Sequence, residues 1–266
     1  MTMRPLSELP PDVRRGIRGV FLDIDDTLTT GGRLTAHAYA GMELLARAGL
    51  TVVPITGRPA GWCDHIARMW PVDAVVGENG AFYFRYDHAR RAMMRRYVDD
   101  AATRARHRER LLRIGEEILE AIPGAAIAAD QHYRETDLAI DYCEDVARLP
   151  REDVARIVAM MQARGLTAKV SSIHVNGWFG TYDKLAMTQK MARECLETDL
   201  DRARAHYLFI GDSPNDAPMF RYFPYAIGVA NVSDFAPQLA HRPAYVTARR
   251  SGAGFRECVD FLLAAK

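Results

Sequence analysis

Short apolar runs that break off at polar residues recur along the chain. Val20-Phe21-Leu22 runs straight into Asp23-Ile24-Asp25-Asp26, a pattern expected of a buried strand whose carboxyl end opens at a crevice. Thr35 to Ala48 reads as a helix, with Thr35 as N-cap, an apolar stripe at Ala38, Met42, Leu45 and Ala48, and Gly49 as C-cap. Leu50 to Ile55 is a second strand, irregular at Pro54, and ends in Thr56-Gly57-Arg58-Pro59. Pro59 suits the first turn of a helix running from Ala60 to Met69. Val72 to Val76 is a third strand, leading into Gly77-Glu78-Asn79-Gly80-Ala81.

From Phe82 the texture changes. Arginine-rich and aromatic segments (Phe82 to Arg85, Met93 to Tyr97) precede a helix from Ala102 to Ile122. Strands at Ala125 to Ala129, Leu138 to Tyr142, Ala168 to Val170 and Ile173 to Val175 surround a second helix, Arg151 to Ala163. Strands mixed with two helices in this order predict a small α+β module. After Trp178 the first style returns. A helix from Leu185 to Leu196, a strand Tyr207 to Ile210 ending in Gly211-Asp212-Ser213-Pro214-Asn215-Asp216, a strand Tyr225 to Val229, the short Tyr245-Val246-Thr247 and a helix Gly254 to Ala264 complete a β/α alternation. The fold class expected is α/β: residues 1–82 and 180–266 form a doubly wound parallel-sheet core, interrupted by the module at 83–179.

The polar strand ends carry the candidate chemistry. Asp23 and Asp25 are two apart and start on one face of the strand, and like charges so close call for a cation or for phosphate chemistry. With Thr56-Gly57-Arg58, Lys184 at a helix start, and Asp212 with Asn215 and Asp216, four signatures converge where a parallel sheet gathers its carboxyl ends. They fit phosphoryl transfer: Asp23 as nucleophile, Asp25 as acid and base, and Thr56 and Lys184 holding phosphoryl oxygens. Clustered carboxylates suit Mg²⁺, held by Asp23, the Asp25 carbonyl and Asp212, with Asp216 close by. Plainer readings stand beside these: Asp212 and Asp216 as helix caps, Lys184 as a surface lysine, Asn79 as a turn residue.

Composition narrows the partners. At 266 residues and a formal net charge of +1, the whole molecule is no strong nucleic-acid binder, while small charged metabolites fit. Cys63, Cys143, Cys195 and Cys258 are scattered without metal-site spacing, no apolar stretch reaches a membrane span, and the first residues lack a signal-peptide core; a cytoplasmic enzyme is expected. The arginines from Arg85 to Arg110 read as a solvated face or as a polyanion site. His174 and Asn176 alternate on the module's last strand and are candidate specificity residues.

The four signatures together resemble the haloacid-dehalogenase superfamily of phosphatases. Asp23-Ile24-Asp25-Asp26-Thr27-Leu28 is similar to its first motif, Thr56 to the second, Lys184 to the third, and Gly211-Asp212-Ser213-Pro214-Asn215-Asp216 to the fourth. The tail, Val229-Ala230-Asn231 with Gly252-Ala253-Gly254-Phe255, is similar to the endings of Cof-like members. The resemblance implies a Rossmann-like core with a type IIB cap between motifs two and three. It also implies Mg²⁺ as cofactor, a place for Asn79 near the leaving group, and a small phosphate ester, in this group a sugar phosphate, as substrate. A phosphosugar mutase of the phosphomannomutase kind shares the chemistry, and a non-catalytic binding protein could share the fold. Members commonly have Gly where this chain has Asp26.

Overall fold

A computed structural model describes residues 3–266. In chain order the elements are β1 (Arg4–Pro5), α1 (Pro11–Gly16), β2 (Gly19–Leu22), β3 (Thr29–Thr30), β4 (Arg33–Leu34), α2 (Ala36–Arg47), β5 (Thr51–Pro54), α3 (Ala60–Met69) and β6 (Val75–Gly77). Then come β7 (Phe82–Asp87), β8 (Ala92–Tyr97), α4 (Ala101–Ala121), β9 (Ala126–Ile127), β10 (Asp137–Asp141), α5 (Arg151–Ala163), β11 (Thr167–Val170) and β12 (His174–Trp178). The chain finishes with α6 (Lys184–Cys195), α7 (Leu200–Ala203), β13 (Tyr207–Gly211), α8 (Ala217–Tyr222), β14 (Ile227–Gly228), β15 (Tyr245–Val246) and α9 (Ser251–Leu263).

The central sheet runs β1-β15-β14-β13-β2-β5, every neighbour parallel. Its inner strands β2, β5 and β13 are apolar on both faces and alternate sides accordingly. Val20, Leu22, Val52, Leu208 and Ile210 pack on one side with Met42 and Leu45 of α2 and Phe255 and Val259 of α9. Phe21, Val53 and Phe209 pack on the other side with Met187 and Met191 of α6 and Phe220 of α8. From β2 the chain crosses outward to β5 on one side, while β13, β14 and β15 extend the other. The carboxyl end of β2 is therefore the switch point at which such sheets open a crevice.

The predicted helix caps hold, since Thr35 accepts from the Ala38 N–H and Gly49 takes a φ of +74°. Ala48, expected in the buried stripe, is exposed beyond the last helical turn. Pro59 precedes the first turn of α3 as its N-cap. Thr51 and Ile55 donate to the β2 side and Val52 and Thr56 to the opposite side, which leaves the nitrogen of Pro54 facing away from β2. There β5 meets β6 only through the single parallel bridge Ile55–Val76, the irregularity that a proline in the strand predicts.

The boundary expected after residue 82 falls inside β7. The β7–β8 hairpin pairs antiparallel with β6, and its Phe82 and Phe84 pack against Cys63 and Ile66 of α3, so it extends the main unit. Its alternating aromatic side chains need a neighbour sheet edge and a helix, and β6 and α3 supply both. Beyond it, β11-β12-β10-β9 form a separate antiparallel sheet whose apolar face is covered by α4 and α5, with Leu111, Ile118, Leu138, Ile157, Met161 and Val175 as its core. The arginines divide between the hairpin and α4, and none lines the crevice at the end of β2. All four cysteines are free thiols. No helix among the described residues is long and apolar enough to cross a membrane.

Candidate functional site

Asp23 continues β2 by one more ladder bond, its N–H donating to the Ile210 carbonyl at 2.8 Å, and this turns its carboxylate into the crevice. Lys184, the first residue of α6, reaches it from the side. Its Nζ lies 2.7 Å from Asp23 Oδ1 and 2.7 Å from Asp216 Oδ1, and all three side chains are buried. Asp216 Oδ2 accepts from the N–H groups of Asp212 and Ser213, so both of its oxygens are engaged and it braces the loop after β13. This loop needs Gly211, because a Cβ there would stand 2.4 Å from Asp216 Oδ2. Asp212 accepts only from neutral groups, the Thr27 hydroxyl at 3.2 Å and the Asn231 amide at 3.2 Å.

Thr56 is fully buried at the end of β5, and its Oγ accepts from the Arg58 N–H at 3.0 Å. Asn79 sits at φ +55° between Glu78, at φ +41°, and Gly80, at φ +105°. Three successive left-handed residues are costly, and the tight loop they make brings the Asn79 amide to the site. There it accepts from Asn215 Nδ2 at 3.4 Å, while its own buried Nδ2 has no partner among the described residues. Gly57 packs against this amide: a Cβ would meet it at 3.1 Å.

Arg58 is the link to the second unit. Its fork donates to both oxygens of Asp25, from Nε at 3.0 Å and from Nη2 at 2.8 Å, and it also donates to Glu144 at 2.6 Å and to Asp130 at 3.3 Å. Burial works against the guanidinium, but the charges of Asp25 and Glu144 hold it firmly protonated. Arg134, also buried, binds Asp130 at 2.9 Å and Asp137 at 3.0 Å, and its Nη1 donates to the Gly57 carbonyl at 2.8 Å. Glu78 clasps the inserted unit from below, accepting from the N–H of Ala60 at the start of α3 and from the N–H groups of Glu135 and Thr136.

His174 and Asn176 both face this junction, as their alternation on β12 requires. Asn176 donates to Asp137 at 2.9 Å, and His174 Nε2 is 2.8 Å from Glu144. The candidate residues Asp23, Asp25, Thr56, Gly57, Arg58, Asn79, His174, Asn176, Lys184, Asp212, Asn215 and Asp216 thus lie at one crevice or in the layer directly around it, and the arginines from Arg85 to Arg110 do not. Sequence reasoning missed Glu78, Asp130, Arg134, Asp137 and Glu144. One signal was available for Asp137 and Asp141, two carboxylates bracketing the apolar Leu138-Ala139-Ile140 of a buried strand.

Asp26 stands beside Asp212 on the other side of the site. It has φ +55°, which explains why glycine suits this position in similar chains and why aspartate, tolerant of left-handed backbone, can replace it. Its N–H donates to Thr29 Oγ1 and its carbonyl accepts from Asn231. Its side chain faces a cavity of about 730 Å³ between α5 and the 230–238 loop, which Asp212 also lines and which adjoins the crevice at Ser172.

Three buried carboxylates stand around a single ammonium that bonds only two of them, Asp23 and Asp216. Burial pushes Asp23 up to about 8 against the pull of Lys184, with Asp216 and Asp25 adding to the rise. Asp212 is raised well above the ordinary range by burial and then by Asp23 and Asp216. Oxygens of Asp23, Asp212 and Asp216 lie within 4.8 Å of one another. A donor set of hard oxygens short of positive charge fits a hard divalent cation.

No protein-family model matches the sequence. A phosphoglycolate phosphatase of Haloarcula marismortui is 29% identical over 245 residues, covering 90% of this chain and 95% of that protein. Among solved structures, Thermoplasma acidophilum 0175 has a TM-score of 0.70 at 20% identity over 93% of this chain and 98% of its own. A haloacid dehalogenase-like hydrolase of Bacteroides thetaiotaomicron has a TM-score of 0.62 at 13% identity, covering 92% and 99%. The sucrose-phosphatase of Synechocystis has 0.63 at 13%, covering 92% and 98%. The fold is that of haloacid dehalogenase-like hydrolases, and the curated relatives similar over nearly the whole chain are phosphatases. Within this fold, the sheet and α6 of the main unit position Asp23, Lys184, Asp212 and Asp216, whereas the partners of Arg58 come from both units.

Proposed function

We propose that this phosphatase is a Mg²⁺-dependent phosphomonoesterase acting on a small phosphorylated metabolite through an aspartyl-phosphate. The carrying observation is the buried Asp23 carboxylate, fixed by Lys184 at 2.7 Å at the switch point of the sheet. An Asp23 oxygen attacks phosphorus, the ester P–O bond breaks, and the leaving oxygen takes a proton from Asp25. Water then attacks the same phosphorus, gives a proton to Asp25, and releases phosphate and free Asp23. Thr56, Gly57, Lys184 and Asn215 hold the phosphoryl oxygens, with Asn79 near the leaving group. Mg²⁺, held by Asp23, the Asp25 carbonyl and Asp212 with Asp216 as a brace, would offset the charge of nucleophile and phosphate.

The inserted unit acts as the cap that encloses the substrate, and we draw its start after the β7–β8 hairpin, at Val98. His174 and Asn176 then face the leaving group from the cap. Relatives named for phosphoglycolate and for sucrose phosphate leave two leaving groups in view, a short acid and a sugar. Asp23→Asn should lower kcat on p-nitrophenyl phosphate by roughly 10³-fold or more, and EDTA should abolish turnover until Mg²⁺ is restored. Unchanged rates in either test refute the reading, and an isomerised sugar phosphate in place of free phosphate would make the enzyme a mutase.

A further inference from the structure

The cavity beside Asp26 opens on the reaction centre. Asp212 lines it, and Ser172 lines both it and the crevice that holds Asp23, Asp25 and Asn215. The crevice itself leaves about 10 Å³, room for no more than about one water, so the space for a leaving alcohol lies in the cavity. At about 730 Å³ that space falls in the range of pockets that enclose a whole small ligand, about 300–1,000 Å³.

Its walls are largely apolar and come from both units. On one side α5 presents Val154, Ala155 and Val158, the two valines one helical turn apart, with Val170 at the end of β11 beside them. Val154, Val158 and Val170 rest against the core of the inserted unit and are only partly buried by it. On the other side stands Phe235, half-buried, yet packed against none of the apolar cores among the described residues. Apolar surfaces that face each other across an open gap gain free energy when something apolar fills it. Polar groups gather at the throat: the Asp26 carboxylate and the Ser172 hydroxyl, which is buried and has no hydrogen-bond partner among the described residues. An oxygen of an entering ligand would relieve that hydroxyl.

We propose that this cavity is the compartment for the leaving alcohol, that it takes phosphate esters whose alcohol carries an apolar body of ring size, and that Val154, Val158 and Phe235 are its specificity residues. This rests on the phosphomonoesterase reading above and adds what the reacting atoms cannot specify. With the phosphorus at Asp23, the ester oxygen passes Ser172 and Asp26, and the body of the alcohol lies between α5 and Phe235. Burying those side chains against the alcohol anchors the substrate away from the bonds that change. A two-carbon alcohol reaches no farther than the throat and leaves the apolar walls uncovered.

The test compares kcat/KM with Mg²⁺ for ethyl phosphate and 2-phenylethyl phosphate, whose alcohols are close in acidity, so that the body is what differs. Glucose 6-phosphate supplies a polar body of ring size, and p-nitrophenyl phosphate a general check of activity. 2-Phenylethyl phosphate should exceed ethyl phosphate by roughly 10- to 10²-fold, and should exceed glucose 6-phosphate as well. Ala155→Trp, at an exposed position of α5, fills the space and should bring the two alkyl esters to within about threefold of each other. Phe235→Ala removes the opposite wall and should raise KM for 2-phenylethyl phosphate more than it lowers kcat, because that contact is made equally in the ground and transition states. Equal use of the two alkyl esters by the parent, a preference for glucose 6-phosphate, or an unchanged ratio of the alkyl esters in either folded variant overturns the inference and leaves the phosphatase intact. No hydrolysis of any ester, p-nitrophenyl phosphate included, removes both.

Discussion

Two sets of buried charge meet at the end of β2, and they are built differently. Around Lys184 every partner belongs to the core: Asp23 follows β2, Asp216 follows β13, and Lys184 opens α6. Around Arg58 the partners are divided, Asp25 from the main unit and Asp130 and Glu144 from the inserted one. The first set exists whenever the sheet is folded. The second exists only while the two units are together, so it can report on closure and the first cannot.

Lys184→Met tests the first half of that contrast and should have the largest effect on stability. It leaves Asp23 and Asp216 buried without their cation, a loss of about 3 kcal/mol or more in global unfolding by denaturant. Arg134→Met removes the fully buried partner of Asp130 and Asp137. It should speed proteolysis and amide exchange in the cap while the protection of β2 and β13 stays near parental, and an equal loss of core protection would show that the units do not separate.

A smaller effect is expected from acid. Burial alone would raise Glu144, but His174 and Arg58 overcome it and bring it from the ordinary 4.5 down to about 2. A depressed carboxyl contributes stability above its unfolded value and loses it as pH falls. The Glu144 link should therefore hold above about pH 4.5 and fade toward pH 2. Trp62, whose ring lies 4.4 Å from the Arg58 guanidinium carbon, should show a fluorescence change over that window. The change should shrink in Glu144→Gln, and an identical profile in the two proteins would remove Glu144 from the closure network.

The same contrast separates what the sequence makes legible from what it does not. Asp23, Thr56, Lys184 and Asp212 each follow or begin an element that local pattern identifies, and a parallel sheet brings such ends together without further information. Arg134 and Glu144 carry no local mark, because their burial depends on Gly57 and Arg58, more than seventy residues earlier in the chain. Strand β1 is too short for any period to show, and its pairing with β15 depends on the far end of the chain. The start of α9 is expected at Gly254 but lies at Ser251, so that both Gly252 and Gly254 stand inside the helix. They are there for close approach: a Cβ at Gly252 would meet the Leu28 carbonyl at 2.7 Å, and one at Gly254 the Arg249 carbonyl at 2.3 Å.

The hairpin that extends the core leaves β8 as an outermost strand, as β1 is at the opposite margin of the main sheet. An unpaired row of backbone donors and acceptors invites another chain to add a strand. Here β8 carries exposed Arg95 and Arg96, and Arg90 and Arg91 stand exposed at the turn before it, while β1 consists of an arginine and a proline. Such residues repel or cannot complete an added ladder. Four of the arginines that read in sequence as a polyanion site thus put positive charge along a strand edge that a second chain would have to approach.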